Sequence, residues 1–584
     1  MKDSIENLRR RTVDIHFLML AVAVGAASIG AWGEGILLLF LFSSSEAIEA
    51  FVTHRTRRAI DSLFKEQPQT ALALDAEGNG TVVPVDSVRA GHLLLVRPGD
   101  VFPVDGVVQE GESETDESSF SGEALPVFKK MGDEVLGGTA NLWGVLKIRV
   151  LRGAGESMLQ RIIHLIQDAQ KHKAPTQSFI DRFGSRYTLF ALGMTLAMFF
   201  VWWLVVGLPP FVNTPEGTSA FYRAMTLLVV SSPCALVLSI PSAIMAAIAC
   251  GARRGILFKG GGGIEKLASV DCVAMDKTGT LTTGELSVER VDSFPPGRAQ
   301  AVLGMAAALE ANATHPVARA ITAHGQCQVA VGSVTAFKET HGRGVEGVVD
   351  GVYCALGRRE FVEGKTGLAG VQAGAQGALA EEHSEVWLGS EGLVGRIVLC
   401  DKIRDESAVT LAELERVGVR TVMLTGDRLP AAQGVGARLG IREIMADLSP
   451  AEKAERVREL ASRGHRVAML GDGVNDAPSL AAAHVAVGMG ARGAGVSLEQ
   501  CDVVLVNDRL DLFLDARELG LRTRSVIRQN LAISLGTIFV MVSAGIGIGV
   551  PLSLGVLAHE GSTVFVCLNS LRLLLRRRAA RCGQ

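Results

Sequence analysis

Asp276-Lys277-Thr278-Gly279-Thr280-Leu281-Thr282 follows directly on the strand-like stretch Val270–Met275. Two further stretches end in the same way: Arg420–Leu424 runs into Thr425-Gly426-Asp427, and Arg466–Leu470 into Gly471-Asp472-Gly473-Val474-Asn475-Asp476. Helical stretches near 409–417 and 451–463 supply crossovers, so the pattern predicts a parallel α/β sheet, which gathers its chemistry at the carboxyl ends of its strands. The three polar clusters then share one pocket. There Asp276 is the candidate nucleophile, because a carboxylate can attack phosphorus and form an acyl phosphate that water later removes. Asp472 and Asp476 suit Mg²⁺, a hard ion that prefers oxygen ligands and offsets phosphoryl charge during in-line transfer. Thr278, Thr425 and Lys453 can offer hydrogen bonds or positive charge to the same oxygens.

Outward from this pocket the chain is too apolar for an ordinary soluble enzyme: 48% of its 584 residues are hydrophobic and only 20% charged. Its net charge of −3 leaves no basic field for a nucleic-acid partner. The nine cysteines never form Cys-x-x-Cys, which points to a reduced, cytosolic catalytic body rather than a disulfide scaffold. Apolar runs near 14–32, 34–56, 187–206, 224–250, 531–550 and 552–575 predict six transmembrane helices in three hairpins. Met1–Asp14 is polar and the first run leads into a second, so the beginning reads as an anchor rather than a signal peptide. Arg9–Arg11, Arg55, Arg57-Arg58, Arg253-Arg254 and Arg576–Arg578 flank helix ends on one side, which puts both termini and the insertions 57–186 and 251–530 in the cytosol. Glu46, Glu49, Cys234, His559 and Glu560 interrupt the apolar runs, where ionisable groups need a partner or a use.

The run Asp276–Thr282 resembles the phosphorylation signature of P-type ATPases, and Gly471–Asp476 resembles their metal-binding hinge. The resemblance implies a haloacid-dehalogenase-like phosphorylation domain over 251–282 and 397–530, with ATP as substrate, Mg²⁺ as cofactor and an aspartyl-phosphate at Asp276. Residues 283–396 resemble the α+β nucleotide-binding domain of heavy-metal ATPases, which implies roles at the nucleotide for Glu310, His315, Gly342 and Gly344; Thr314 and Arg358 depart from the family pattern. Residues 57–186, rich in Val, Gly and alternating patterns, hold the expected β-rich actuator domain and its linkers. Its stretch Asp116–Pro126 resembles the actuator loop, in which Glu123 positions water against the aspartyl-phosphate. Gly260–Gly263 lacks a following Gly-Lys-Ser/Thr and reads as a flexible linker rather than a phosphate loop.

The hairpins at 1–56, 187–250 and 531–584, the last with its basic tail, frame the expected ion path. Ser231-Ser232-Pro233-Cys234 predicts a kink or unwinding in the fourth run, because proline removes a backbone donor. The freed carbonyls would lie beside a thiol, so Ser232 and Cys234 are candidate cargo ligands. In the sixth run His559, Glu560 and Thr563 lie within one helical turn, as ligands or as a structural hydrogen-bonding set. One thiolate with imidazole and carboxylate suits Zn²⁺, Co²⁺ or Fe²⁺, whereas Cu(I) favours several sulfurs. The Ser-Pro-Cys and His-Glu-Gly-Ser-Thr combination resembles the cobalt/zinc-type fourth subgroup of type IB, which implies Co²⁺, Zn²⁺, Cd²⁺ or Fe²⁺ as cargo. That implies export from the cytosol through a multi-pass protein, in the plasma membrane of a prokaryote, with lipid as partner and a cytosolic metal donor as a further one. Glu46 or Glu49 would receive the departing ion, or would bond helix to helix. Relatives with two further helices before the first hairpin are usual, and Met1 stands just before the first helix of the shared core. The competing readings are a Cu(I) pump, a membrane-tethered phosphohydrolase and a metal sensor.

Overall fold

The computed structural model describes residues 15–61, 68–75, 78–117, 126–157, 160, 174–213, 218–313, 315–328, 332–340, 343–366, 384–472, 476–490, 500–506 and 508–575. They divide into two compact units: Met1–Ser269 with Asp502–Asn507 and Asp515–Gln584, and Val270–Cys501 with Asp508–Leu514.

Apolar composition makes the first unit mainly helical: α1 (Ile15–Ser28), α2 (Trp32–Asp61), α3 (Pro175–Phe200), α4 (Ala220–Val230), α5 (Cys234–Ala252), α6 (Asp511–Gly547) and α7 (Leu552–Leu571). Among the described residues four stretches are long and apolar enough to cross a membrane: Arg186–Val205, Ala220–Ala252, Asp511–Gly547 and Leu552–Leu574. They coincide with the last four of the six expected runs; within the described residues α1 has 14 residues, about 21 Å at ~1.5 Å per residue. Its partner α2 is long, but it carries Glu34, Glu46, Glu49 and a basic last third. Between α4 and α5 the chain leaves the helix at Ser231–Pro233, where the proline predicts it. Pro241 then interrupts α5 from within.

Gly260–Gly263 is not a flexible linker. Gly261–Leu267 forms a helix, and a Cβ on Gly261 would lie 2.5 Å from Ile244 Cδ1, while one on Gly263 would lie 2.8 Å from Asp502 O. These glycines allow close packing rather than motion. Strand Ile256–Phe258 nearby pairs antiparallel with Val503–Leu505.

Alternating apolar residues fold the insertion after α2 into a six-stranded antiparallel sheet, in the order Gly80–Pro84, Thr70–Leu74, Leu93–Val96, Leu146–Val150, Gly106–Glu110, Glu134–Val135. Its inward residues Leu94, Val96, Val108, Leu146 and Ile148 form a core with Phe102. A smaller sheet joins Val127–Lys129, Ser113–Asp116 and Ala140–Asn141.

The second unit contains the predicted parallel sheet, ordered β5 (Val485–Met489), β4 (Val467–Gly471), β1 (Cys272–Asp276), β2 (Arg420–Leu424) and β3 (Glu443–Met445). Every residue of β1 and β4 is buried, as covering helices on both faces require. The crossovers include Ser407–Arg416 and Pro450–Ser462, the latter started by a reciprocal capping box between Ser449 and Glu452. Two long antiparallel strands, Thr282–Phe294 and Leu393–Ile403, carry the chain out of this sheet and back. They begin a six-stranded antiparallel sheet on which helices Ala299–Glu310 and Pro316–Gln328 pack around Val302, Leu309, Ile321, Leu356 and Ile397.

Candidate functional site

At the carboxyl end of β1, Asp276 is 7% exposed and accepts a hydrogen bond from Lys453 Nζ at 2.5 Å. The same ammonium donates to Asp476 Oδ1 at 2.8 Å. Lys453 comes from helix Pro450–Ser462 and Asp476 from the end of the loop after β4, so the strand-end clusters do converge. Burial, then the Asp476 charge, pushes the Asp276 carboxyl up against the pull of Lys453. Burial alone would depress Lys453, but Asp276 and Asp476 overcome it and hold the ammonium charged.

Asp472 closes the same corner. A Cβ on Gly279 would lie 3.2 Å from Asp472 Oδ2, and one on Gly471 would lie 2.7 Å from Asp476 Oδ2; glycine at both positions keeps the carboxylates close. Gly279 also has φ 76°, the left-handed region that favours glycine. Asp476 Oδ2 is buried without a hydrogen-bond partner. An unpartnered carboxylate oxygen beside Asp276 and Asp472 fits a hard divalent cation such as Mg²⁺. Thr425 is buried and its hydroxyl accepts from Asp427 N at 3.1 Å, leaving its proton to donate, whereas Thr278 is exposed.

Two residues of this site, Asp401 and Arg404, escape the sequence reading. Lys277 Nζ pairs with Asp401 at 2.8 Å and Asp427 at 2.6 Å. Arg404 donates to Thr280 O at 3.0 Å and Gly279 O at 2.8 Å, so the end of the returning strand is bonded to the loop after Asp276. The available signal was Lys277 itself, a half-buried cation that requires carboxylate partners.

In the antiparallel sheet's domain, Glu310 ends helix Ala299–Glu310 and is 4% exposed. Its Oε2 has no hydrogen-bond partner and lies 3.6 Å from His315 Nε2. Burial, and secondarily Glu339, pushes Glu310 up to about 7. His315 Nδ1 accepts from Ala318 N, which fixes the ring at the start of helix Pro316–Gln328. A Cβ on Gly344 would be 2.2 Å from Leu356 O, so only glycine fits there. Arg358 is exposed and its N–H bonds Arg343 O. Gly342, Thr314 and Glu123 lie outside the described residues.

In the helical unit, Ser232 Oγ lies 3.1 Å from Cys234 Sγ at the break between α4 and α5. His559, Glu560 and Thr563 are buried on α7, which packs along α4 and α5. His559 Nε2 has no hydrogen-bond partner and stands 3.9 Å from Glu560 Oε1. Thr563 Oγ1 donates to His559 O, within its own helix. Among the described residues no three His, Cys, Asp or Glu side chains form a metal-holding group, so Cys234, His559 and Glu560 are not closed into a ligand set. Glu46 is exposed on α2, on a helix whose Trp32, Ile36, Phe40 and Phe51 are exposed as well; the Glu49 side chain lies outside the described residues. Among the described residues Glu34 is a carboxylate of α2 that reaches a buried partner, and the sequence reading passes over it. Its Oε1 accepts from Tyr222 OH at 2.8 Å, and its Oε2 is buried and unpartnered.

Residues 270–484 match the haloacid dehalogenase-like hydrolases, and residues 65–167 match the P-type ATPase actuator domain. The zinc-transporting ATPase of Bacillus subtilis (strain 168) is 36% identical over 571 residues, covering 97% of this chain and 88% of that protein. A probable cobalt/nickel-exporting P-type ATPase of Mycobacterium tuberculosis (strain ATCC 25618 / H37Rv) is 37% identical, with 98% of this chain and 85% of that protein covered. The crystal structure of a zinc-transporting PIB-type ATPase in the E2.Pi state superposes with a TM-score of 0.63 at 33% identity, covering 98% of this chain and 92% of that one. With both domain matches and relatives of this identity over nearly its whole length, the chain belongs to the P-type ATPases of type IB, the metal-cation-transporting branch.

Proposed function

We propose that the protein exports a borderline divalent metal ion, Zn²⁺ or Co²⁺ foremost, from the cytosol of a prokaryote across the plasma membrane at the expense of ATP. The observation that carries the catalytic half is the arrangement of Asp276, Lys453 and Asp476 at neighbouring strand ends. In this reading Glu310, His315, Gly342 and Gly344 hold the nucleotide, and Asp276 attacks its terminal phosphorus. Lys453 passes from the carboxylate to the phosphoryl oxygens as negative charge gathers there. Thr278 and Thr425 donate to the same oxygens, and Glu123 later orients the water that removes the phosphoryl group. Asp276, Asp472 and Asp476 would hold Mg²⁺, which when bound supplies charge neutralisation at the transferring group.

The cargo half rests on the broken helix at Ser231–Pro233 and on the buried Cys234, His559 and Glu560, with Ser232 and Thr563 as supporting oxygens. A thiolate with imidazole and carboxylate matches Zn²⁺, Co²⁺, Cd²⁺ and Fe²⁺ better than Cu(I), and the resemblance of the Ser-Pro-Cys sequence to the cobalt/zinc-type subgroup supports the same reading. Surrounding lipid and a cytosolic metal donor complete the partners. The test is ATP hydrolysis by the purified protein in lipid with each ion in turn. Stimulation by Zn²⁺ or Co²⁺ and none by Cu(I) supports the reading, while stimulation by Cu(I) alone overturns the cargo half.

A further inference from the structure

Asn530 of α6 is fully buried, and every polar group of its side chain is engaged. Nδ2 donates to Ser239 O at 3.1 Å on α5 and to Ser570 Oγ at 3.0 Å on α7. Oδ1 accepts from Asn569 Nδ2 at 2.9 Å. Ser570 Oγ lies 2.9 Å from Ser242 Oγ, which closes the group on α5. One amide thus joins three helices.

The segment it grips is the least self-supporting part of α5. Cys234–Ile240 lies between the break at Ser231–Pro233 and Pro241, whose missing N–H leaves one further carbonyl of that turn without its helical donor. Ser239 and Ser242 sit about 8 and 12 Å along α5 from Cys234, and Asn569 about 15 Å along α7 from His559, at ~1.5 Å per residue. The bonds therefore lie on one side of both candidate ligands and set the spacing of the helices that carry them. Fully buried, such an amide has no water to fall back on, so its geometry is held.

We propose that Asn530 is the positioning residue of the cargo site, holding the Cys234 segment of α5 and the His559 segment of α7 at the separation the transported ion needs. This rests on the reading of Cys234 and His559 as cargo ligands. Asn530 touches neither residue and acts through Ser239 and Ser570.

The test is made on the full chain in lipid, with Zn²⁺ or Co²⁺ as probe. In Asn530→Ala the ion concentration for half-maximal ATP hydrolysis rises about threefold to tenfold, the scale of a lost buried hydrogen bond. Maximal turnover changes less, and phosphorylation of Asp276 from inorganic phosphate without metal survives, which shows that the protein is folded. Ser570→Ala gives a smaller rise, its effect is non-additive with Asn530→Ala, and Ser570→Thr restores the parent value. An unchanged half-maximal concentration in Asn530→Ala, or additive effects, overturns the proposal. Cys234→Ser separates the two readings: if it keeps the parent's metal response, the cargo reading itself fails; if it loses that response while Asn530→Ala keeps it, only the positioning role fails.

Discussion

Lys453 Nζ donates to Asp276 Oδ1 at 2.5 Å and to Asp476 Oδ1 at 2.8 Å, so one buried ammonium is shared by two buried carboxylates. In the proposed mechanism the bond to Asp276 lengthens on attack, and the bond to Asp476 keeps the ammonium in the pocket.

Lys453→Met should therefore damage both stability and chemistry. Two buried carboxylates would lose their shared cation, at a cost of about 3–5 kcal/mol to the phosphorylation domain. The rate of labelling from radioactive ATP should fall about 10²-fold or more, the scale of one lost electrostatic contact to a transferring group. Labelling at the parent rate removes Lys453 from the mechanism.

Asp276→Asn makes the opposite change, removing one negative charge and the nucleophile together. Expected are no acid-stable, hydroxylamine-labile phosphoenzyme, no metal transport, and a domain at least as stable as the parent because Lys453 still pairs with Asp476. A hydroxylamine-labile label in this variant would falsify the assignment.

Glu123→Gln tests the later step. It should accept phosphate from ATP and release it slowly, since the amide cannot act as base toward water. Decay of the labelled enzyme after a chase with unlabelled ATP reads this out, and parent-like decay excludes Glu123.

Glu310 gives a pH signature. Burial raises its pKa to about 7, so between about 4.5 and 7 the folded state holds a proton that the unfolded state has lost. Stability from this group is present below the unfolded pKa and lost as pH rises through the folded one, by up to about 3 kcal/mol. Glu310→Gln should flatten that dependence and raise the melting temperature of the domain that carries it at pH 8 relative to the parent. An unchanged difference between pH 5.5 and pH 8 argues against the buried carboxylate as its source.

What the sequence made legible follows from local physics. Asp276, Asp472 and Asp476 stand at strand ends, and a parallel sheet must bring such ends together. Pro233 announced the break in the fourth run for the same reason: it lacks a donor. Asp401 was illegible because it is 124 residues from Lys277, and only the pairing of the outgoing and returning strands brings it back. The glycines 260–263 misled because composition suggests freedom where packing required the absence of side chains. Glu34 was missed because a carboxylate near a helix start reads as ordinary N-terminal charge, and its partner Tyr222 lies 188 residues away.

The cargo site gives the last prediction. Cys234→Ser and His559→Ala should each lose most Zn²⁺- or Co²⁺-stimulated ATP hydrolysis while phosphorylation from inorganic phosphate persists, because neither residue belongs to the phosphorylation domain. The two should differ in metal content. Cys234 lies 3.1 Å from the Ser232 hydroxyl at the open helix break, where freed carbonyls and a thiol offer donors together, so its loss should remove bound metal outright. His559 has a buried, unpartnered Nε2 and a carboxylate at 3.9 Å, a pairing that can bind the ion or balance charge after the ion leaves. Metal counting on the purified variants decides between these: a depleted His559→Ala makes the imidazole a ligand, and a loaded but inactive one makes it the charge that resets the site. If Cys234→Ser carries and transports metal as the parent does, the ion path lies elsewhere in the bundle.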